Sequence, residues 1–152
     1  MTPTHAHTFT NITLCPSCGA KNRIPVEHLA DAGRCGACKA ALPPVGVPIE
    51  VDGRGFREII SDAKVPVLVD FWAPWCGPCR AAAPEVAKVA SEMAGRAIVL
   101  KLNTETSPEV AGRYHVQSIP NFMIFRGGQA VMQKPGMVPA RQLSRWLHEA
   151  GA

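Results

Sequence analysis

Six cysteines fall into three pairs of identical spacing: Cys15-Pro16-Ser17-Cys18, Cys35-Gly36-Ala37-Cys38 and Cys76-Gly77-Pro78-Cys79. Two thiols three residues apart can ligate a metal ion or exchange electrons as a dithiol. Spacing alone does not choose between these; the surroundings must. Sixteen residues separate Cys18 from Cys35, which fits the two halves of a zinc site. Each such turn points two sulfurs at one centre while its N–H groups support the thiolates, and two turns complete a tetrahedron. Gly19 and Gly36 suit the tight turns this requires. Between the pairs the large apolar residues are few, namely Ile24, Val26 and Leu29. So small a core needs a staple, and zinc binding of roughly 10–16 kcal/mol would supply one. Two disulfides or a second redox dithiol are the competing readings. Four thiolates leave no open coordination position, so the expected role of Cys15, Cys18, Cys35 and Cys38 is to hold structural rather than catalytic Zn²⁺. His28 reads as a surface residue rather than a substitute ligand.

The third pair comes directly after an apolar run, Val65 to Trp72, and opens an Ala-rich segment with apolar residues at helical spacing. Cys76 and Cys79 therefore sit where a strand hands over to a helix. The unpaired N–H groups and partial positive charge of a helix N-terminus favour a thiolate. This pair reads as a redox-active dithiol. Asp70 lies in the same run, six residues before Cys76. Either its carboxyl is buried, with a raised pKa, or it faces solvent at a strand end. Lys101, on the next strand, either pairs with it or is solvated.

The elements that must position these residues are legible as patterns. The 152 residues are 47% hydrophobic and carry a net charge of +4, enough for one ordinary domain and an appendage. No basic block stands out, so nucleic acid is not suggested as a partner. Residues 1–14 show no signal-peptide pattern, and no apolar run approaches the ~20 residues that span a membrane. The expectation is a soluble, monomeric, cytoplasmic protein, where cysteines serve metal or redox chemistry more often than structural disulfides. Residues 1–11 read as a flexible tail in which His5 and His7 could reach a metal, loose polar chain being the plainer reading. Residues 12–42 form the four-cysteine module, 43–48 a Pro-rich linker, and 49–152 the larger domain. Within the last, strand patterns at Ile49–Val51, Val65–Trp72, Ala97–Asn103, Asn121–Phe125 and Ala130–Gln133 alternate with helical patterns at Gly55–Ser61, Cys76–Met93, Ser107–Tyr114 and Pro139–Ala150. Ser107 serves as N-cap with Pro108 at the first helical position, Pro84 predicts a kink, and Gly127-Gly128 a hairpin. The order β-α-β-α-β-α-β-β-α predicts an α/β domain, a mixed sheet with helices on both faces.

The run Val69-Asp70-Phe71-Trp72-Ala73-Pro74-Trp75-Cys76-Gly77-Pro78-Cys79, with Lys101-Leu102-Asn103, Ser118-Ile119-Pro120 and Phe125-Arg126-Gly127-Gly128, resembles the thioredoxin family. The match covers the chain from about residue 49, and the four-cysteine module is similar to that of the zinc-containing bacterial thioredoxin-2 subgroup. The resemblance implies the thioredoxin fold preceded by a small zinc-ribbon-like module, and protein-disulfide reductase activity. It implies Cys76 as a solvent-facing nucleophile, Cys79 as the resolving thiol and Asp70 as its proton acceptor. Gly77 and Pro78 would tune the potential, with Lys101 modulating Asp70. A cis Ile119–Pro120 bond would expose the Ile119 backbone to an extended client, on a docking surface shared by Trp75, Asn121 and Gly136. Trp72 would pack beneath the active-site helix. It implies disulfide-containing clients and a separate thioredoxin reductase as partners, with NADPH reaching the chain only through that reductase. Two positions depart from the family: Asn121 stands where Thr is usual after the cis-Pro, and Glu105 where Asp is usual. A reading of another class is an adaptor or holdase whose zinc module selects partners or switches with oxidation.

Overall fold

The computed structural model describes residues 9–152; His5 and His7 lie outside them. Two short hairpins come first. Strands β1 (Asn11–Leu14) and β2 (Lys21–Ile24) pair antiparallel, as do β3 (Gly33–Arg34) and β4 (Ala41–Leu42). Each hairpin carries one cysteine pair at its tip, and a 3-10 turn, Val26–His28, joins them.

The rest of the chain builds a five-stranded sheet from β5 (Ile49–Val51), β6 (Val67–Trp72), β7 (Ile98–Asn103), β8 (Asn121–Arg126) and β9 (Gln129–Pro135). The order is β5-β7-β6-β8-β9, with β5, β7 and β6 parallel and β8 and β9 antiparallel. The expected mixed sheet is thus observed. Gly127 and Gly128 both take positive φ (58° and 79°) at the β8–β9 turn, the conformation that favours glycine in a tight hairpin.

Residue alternation along the strands gives the sheet two buried faces. Val67, Val69 and Phe71 of β6 pack with α1 (Gly53–Asp62) through Phe56, Ile59 and Ile60, and with α3 (Pro108–Arg113) through Val110. Leu68, Phe122 and Ile124 pack with α2 (Gly77–Glu92) through Val86 and Val89, and with α4 (Ala140–Glu149) through Leu143 and Leu147. Helix α1 is capped by Asp52, whose carboxylate accepts from the Gly55 N–H at 2.8 Å. Helix α2 is continuous through Pro84. Ser107 precedes α3 as expected, but its side chain makes no capping bond and is buried.

The module is not a separate globule. Val26 and Leu29 are 3% and 1% exposed and belong to the same cluster as Phe56, Ile59 and Ile60. Two of the apolar residues that looked too few for a core of their own are lent to the larger one. The linker is held as well: the Val45 N–H donates to Leu29 O at 3.0 Å, and Gly46 lies against Ala94. Before β1, the Phe9 N–H donates to Glu58 of α1 at 3.1 Å and its ring packs on the α1 face. That part of the expected tail is fastened.

Candidate active site and metal centre

Strand β6 delivers the chain to Ala73-Pro74-Trp75, and α2 begins at Gly77 with Cys76 as its N-cap. Pro78 stands in the first turn of α2, where a missing N–H costs nothing. The Cys76 sulfur accepts from the Cys79 N–H at 3.1 Å, so it occupies the place an oxygen takes at an ordinary N-cap. Cys76 and Cys79 are joined by a disulfide, with their Cα atoms 5.2 Å apart. Cys76 Sγ also lies 3.7 Å from the carbonyl oxygen of Ile119. The peptide bond between Ile119 and Pro120 is cis.

The resemblance implies a nucleophile that faces solvent, yet Cys76 is only 3% exposed. Ala73, Trp72 and Ile119 pack around the disulfide. Trp75 is the exposed member, at 64%, and its indole N–H donates to Glu105 Oε1 at 2.5 Å. Glu105, which stands out in the sequence only as a departure from the family, thus orients the tryptophan beside the cysteines. Its own N–H is held by Asn103 Oδ1 at 2.9 Å.

Asp70 is buried, at 1% exposure, and its Oδ1 has no hydrogen-bond partner among the described residues. Alternation puts it on the α2 side of the sheet, with Leu68. Burial pushes its carboxyl up to about 7, opposed in part by the charge of Lys101. Asp70 and Lys101 are register partners on β6 and β7. The Lys101 ammonium lies 4.4 Å from the centre of the Trp72 ring, a cation–π contact. Of the two readings open for Asp70, the buried acid is observed; Lys101 is half-buried and sits against Trp72, with no ion pair to Asp70 among the described residues. Asn121 is buried at the start of β8, and the Gly136 N–H donates to Pro120 O at 2.8 Å.

At the other centre the sulfurs of Cys15, Cys18, Cys35 and Cys38 all lie within 4.8 Å of one another. Cys15 and Cys38 are 3.6 Å apart and Cys18 and Cys35 3.7 Å. A tetrahedron of sulfurs about 2.3 Å from a zinc ion has edges of about 3.8 Å, so the four thiols fit that ion. The N–H of Ser17 reaches Cys15 Sγ at 3.4 Å and that of Ala37 reaches Cys35 Sγ at 3.3 Å. Cys35 is pulled down to about 6, first by the Cys38 N–H, then by Asn22 and Ala37. The Asn22 side chain accepts from the Gly36 N–H at 2.9 Å and donates to Cys35 Sγ at 3.5 Å, tying the first hairpin to the second. Sequence reasoning passes over Asn22; an Asn four residues after Cys18 gives no signal by itself. His28 is no ligand: it pairs with Asp31 at 2.8 Å on the surface. The two turns use different left-handed residues. Gly19 has φ 77° in the first, but in the second the positive φ falls on Lys39 (66°) and not on Gly36.

Comparison with known proteins agrees with this geometry. The thioredoxin family profile matches residues 47–149, and a profile described as the N-terminal part of thioredoxin 2 matches residues 14–40. Thioredoxin C-3 of Corynebacterium nephridii is 39% identical over 138 residues, covering 91% of this chain and 94% of its own. Thioredoxin 1 of a Nostoc species is 48% identical over 100 residues, covering 66% and 94%. Among solved structures, a mutant thioredoxin from Halobacterium salinarum superposes with a TM-score of 0.66 at 28% identity, covering 71% of this chain and 94% of the other. Among the described residues no helix is long and apolar enough to cross a membrane. A cysteine disulfide at a helix N-terminus, on a five-stranded mixed sheet and behind a four-cysteine ribbon, places the chain in the thioredoxin family of protein-disulfide reductases.

Proposed function

We propose that this chain reduces client disulfides through Cys76 and Cys79 while Cys15, Cys18, Cys35 and Cys38 hold a structural zinc ion. The observation that carries the reading is the Cys76–Cys79 disulfide at the N-terminus of α2, against Ile119 and on the sheet face that buries Asp70. In the reduced protein the Cys76 thiolate attacks one sulfur of the client. The client S–S bond breaks, one client thiolate leaves, and a mixed disulfide forms. Asp70, with a pKa near neutrality, takes the proton of Cys79. The Cys79 thiolate then attacks Cys76 Sγ and expels the second client thiolate. Two electrons have passed to the client, whose thiolates take up protons, and the chain is left in the oxidised form described above.

Gly77 and Pro78 set the redox poise, and Lys101 holds Asp70 below the pKa that burial alone would impose. Trp75, Ile119 and Gly136 form the docking surface, and Pro120 and Asn121, expected to share it, are buried and support it from beneath. Zinc, when bound, supplies a crosslink between the two hairpins and no reactive position. Electrons return from NADPH through a separate thioredoxin reductase, in the reducing cytoplasm. The test is trapping. With insulin as client, Cys79→Ser accumulates a mixed disulfide through Cys76, and Cys76→Ser forms none. A mixed disulfide through any of the other four cysteines overturns the assignment. For the metal, one zinc per chain with two readily titrated thiols is expected; six freely titrating thiols and no zinc defeat that half of the reading.

A further inference from the structure

The segment that presents Ile119 to Cys76 runs from the end of α3 to the start of β8, residues 115–120. A groove of about 300 Å³ lies alongside, lined by His115, Gln117, Ser118, Asn121, Gln133 and Pro135. The segment begins with His115 at φ 55°, a region that non-glycine residues seldom occupy. At its far end Pro120 O accepts from the Gly136 N–H at 2.8 Å, while Pro135, opposite Asn121, has no N–H to give the ladder.

One side chain bridges both ends. Gln133 Nε2 donates to Tyr114 O, the carbonyl just before the segment, at 3.0 Å. The same nitrogen donates to Asn121 Oδ1, just after the segment, at 3.4 Å. An amide nitrogen carries two hydrogens, so both bonds can form at once. Gln133 and Asn121 are diagonal neighbours on β9 and β8 and lie on the face that carries Met123 and α3. Tyr114 O is one of the carbonyls a helix leaves unpaired at its C-terminus, so the clamp uses an acceptor that needed a donor.

We infer that Gln133 is a positioning residue for client binding: its amide fastens the two ends of residues 115–120 and so fixes the Ile119 carbonyl opposite Cys76. The inference rests on the proposed role of Ile119 in docking. It also explains Asn121. A side chain with an amide oxygen at this position extends far enough to be gripped from β9.

The test compares a client that lies along Ile119 with one too small to do so. In the full-length protein Gln133→Met keeps a similar length and removes both donors, at an exposed position on β9. With insulin, KM is expected to rise three- to tenfold while kcat changes less than twofold. With the small aromatic disulfide 5,5′-dithiobis(2-nitrobenzoate), the rate constant is expected to change less than twofold. Gln133→Lys, whose ammonium can donate to both oxygens, restores most of the insulin KM. Amide exchange at His115 and Val116 speeds up in Gln133→Met and not in Gln133→Lys. An unchanged insulin KM in Gln133→Met overturns the clamp. Equal losses with both substrates, or in kcat rather than KM, overturn a positioning role in favour of general damage. Should wild-type insulin reduction persist in Cys76→Ser, the active-site reading itself fails, and this inference with it.

Discussion

One spacing, two cysteines with two residues between, occurs in two settings, a four-thiol cluster that fits a zinc ion and a disulfide at a helix N-terminus, and the two regions part ways just beyond the second cysteine. After Cys18 and Cys38 the backbone enters the left-handed region, at Gly19 and Lys39, and turns back into an antiparallel strand. The sulfurs are left at the tip of a hairpin, facing a second tip built alike. After Cys79 the backbone makes no such reversal, and α2 runs on to Glu92. No second cysteine pair approaches, and the two sulfurs bond each other. The supporting N–H groups are partly shared: in the hairpins they come from two residues after the sulfur and, for Cys35, also from the third, while in the helix the third alone serves. A metal site needs sulfurs spread to the corners of a tetrahedron, whereas a redox site needs them close enough to join and part.

The largest break in this comparison comes from removing one thiol on each side. Cys76→Ser is expected to lower insulin reduction by about 10³-fold or more, equivalent to roughly 4 kcal/mol of barrier, as read by turbidity with a reductant in excess. Cys35→Ser is expected to drop bound zinc from one per chain to none, as read by metal analysis. Zinc retained in Cys35→Ser would erase the distinction between the regions.

The two regions are nevertheless coupled through packing. Val26 and Leu29, from the turn between the hairpins, are buried against α1. Leu29→Ala is expected to destabilise the whole chain by about 2–5 kcal/mol, measured by denaturant unfolding. Chelation of zinc is expected to lower the thermal midpoint of the five-stranded domain as well as that of the hairpins. A midpoint for the large domain that ignores both changes would make the module a passive appendage.

The buried acid has no counterpart in the metal region, and it leaves a signature in pH. Between the ordinary carboxylate value and about 7 the folded state keeps a proton that the unfolded state has lost. Stability therefore falls as pH rises through that window and levels off above it. Asp70→Asn removes the cost of an ionised buried carboxylate. It is expected to stabilise the protein at pH 8 by roughly 2–4 kcal/mol and to flatten the stability profile between pH 4 and 7. Thermal unfolding across that range is the measurement, and an unflattened profile would assign the titration to another group.

The sequence disclosed the parts of this molecule that rest on period and spacing. The apolar run Val65–Trp72 holds strand β6, which starts two residues later at Val67, and the Gly127-Gly128 hairpin lies where its pattern puts it, because burial and turn chemistry are local properties. The four-cysteine centre was legible because metal ligation fixes ligand number and separation. What stayed hidden depends on contacts between distant residues. Nothing local to Val26 or Leu29 says that they pack on α1 rather than on their own hairpins. Nothing near Glu105 points to Trp75, thirty residues earlier. The low exposure of Cys76 likewise comes from Ile119, forty-three residues on.

The finest difference lies between the two halves of the metal centre. Gly19 and Lys39 occupy equivalent places, four residues after the first cysteine of each pair, and both have left-handed φ. In that conformation a side chain crowds the following carbonyl, at about 1–2 kcal/mol. Gly19 avoids the cost, while Lys39 bears it and recovers part through the bond from its Nζ to Gly36 O at 3.1 Å. That bond is exposed, so its net contribution is small. Lys39→Gly is therefore expected to stabilise the zinc-loaded module by about 0.5–1 kcal/mol, less than the full backbone cost because glycine also loosens the unfolded chain. Gly19→Lys is expected to destabilise it by about 1 kcal/mol. Chelator competition at fixed pH reads both changes as shifts in zinc affinity. If Lys39→Gly weakens zinc binding instead, the lysine bond to Gly36 outweighs the backbone, and the second turn is held by its side chain where the first is held by its glycine.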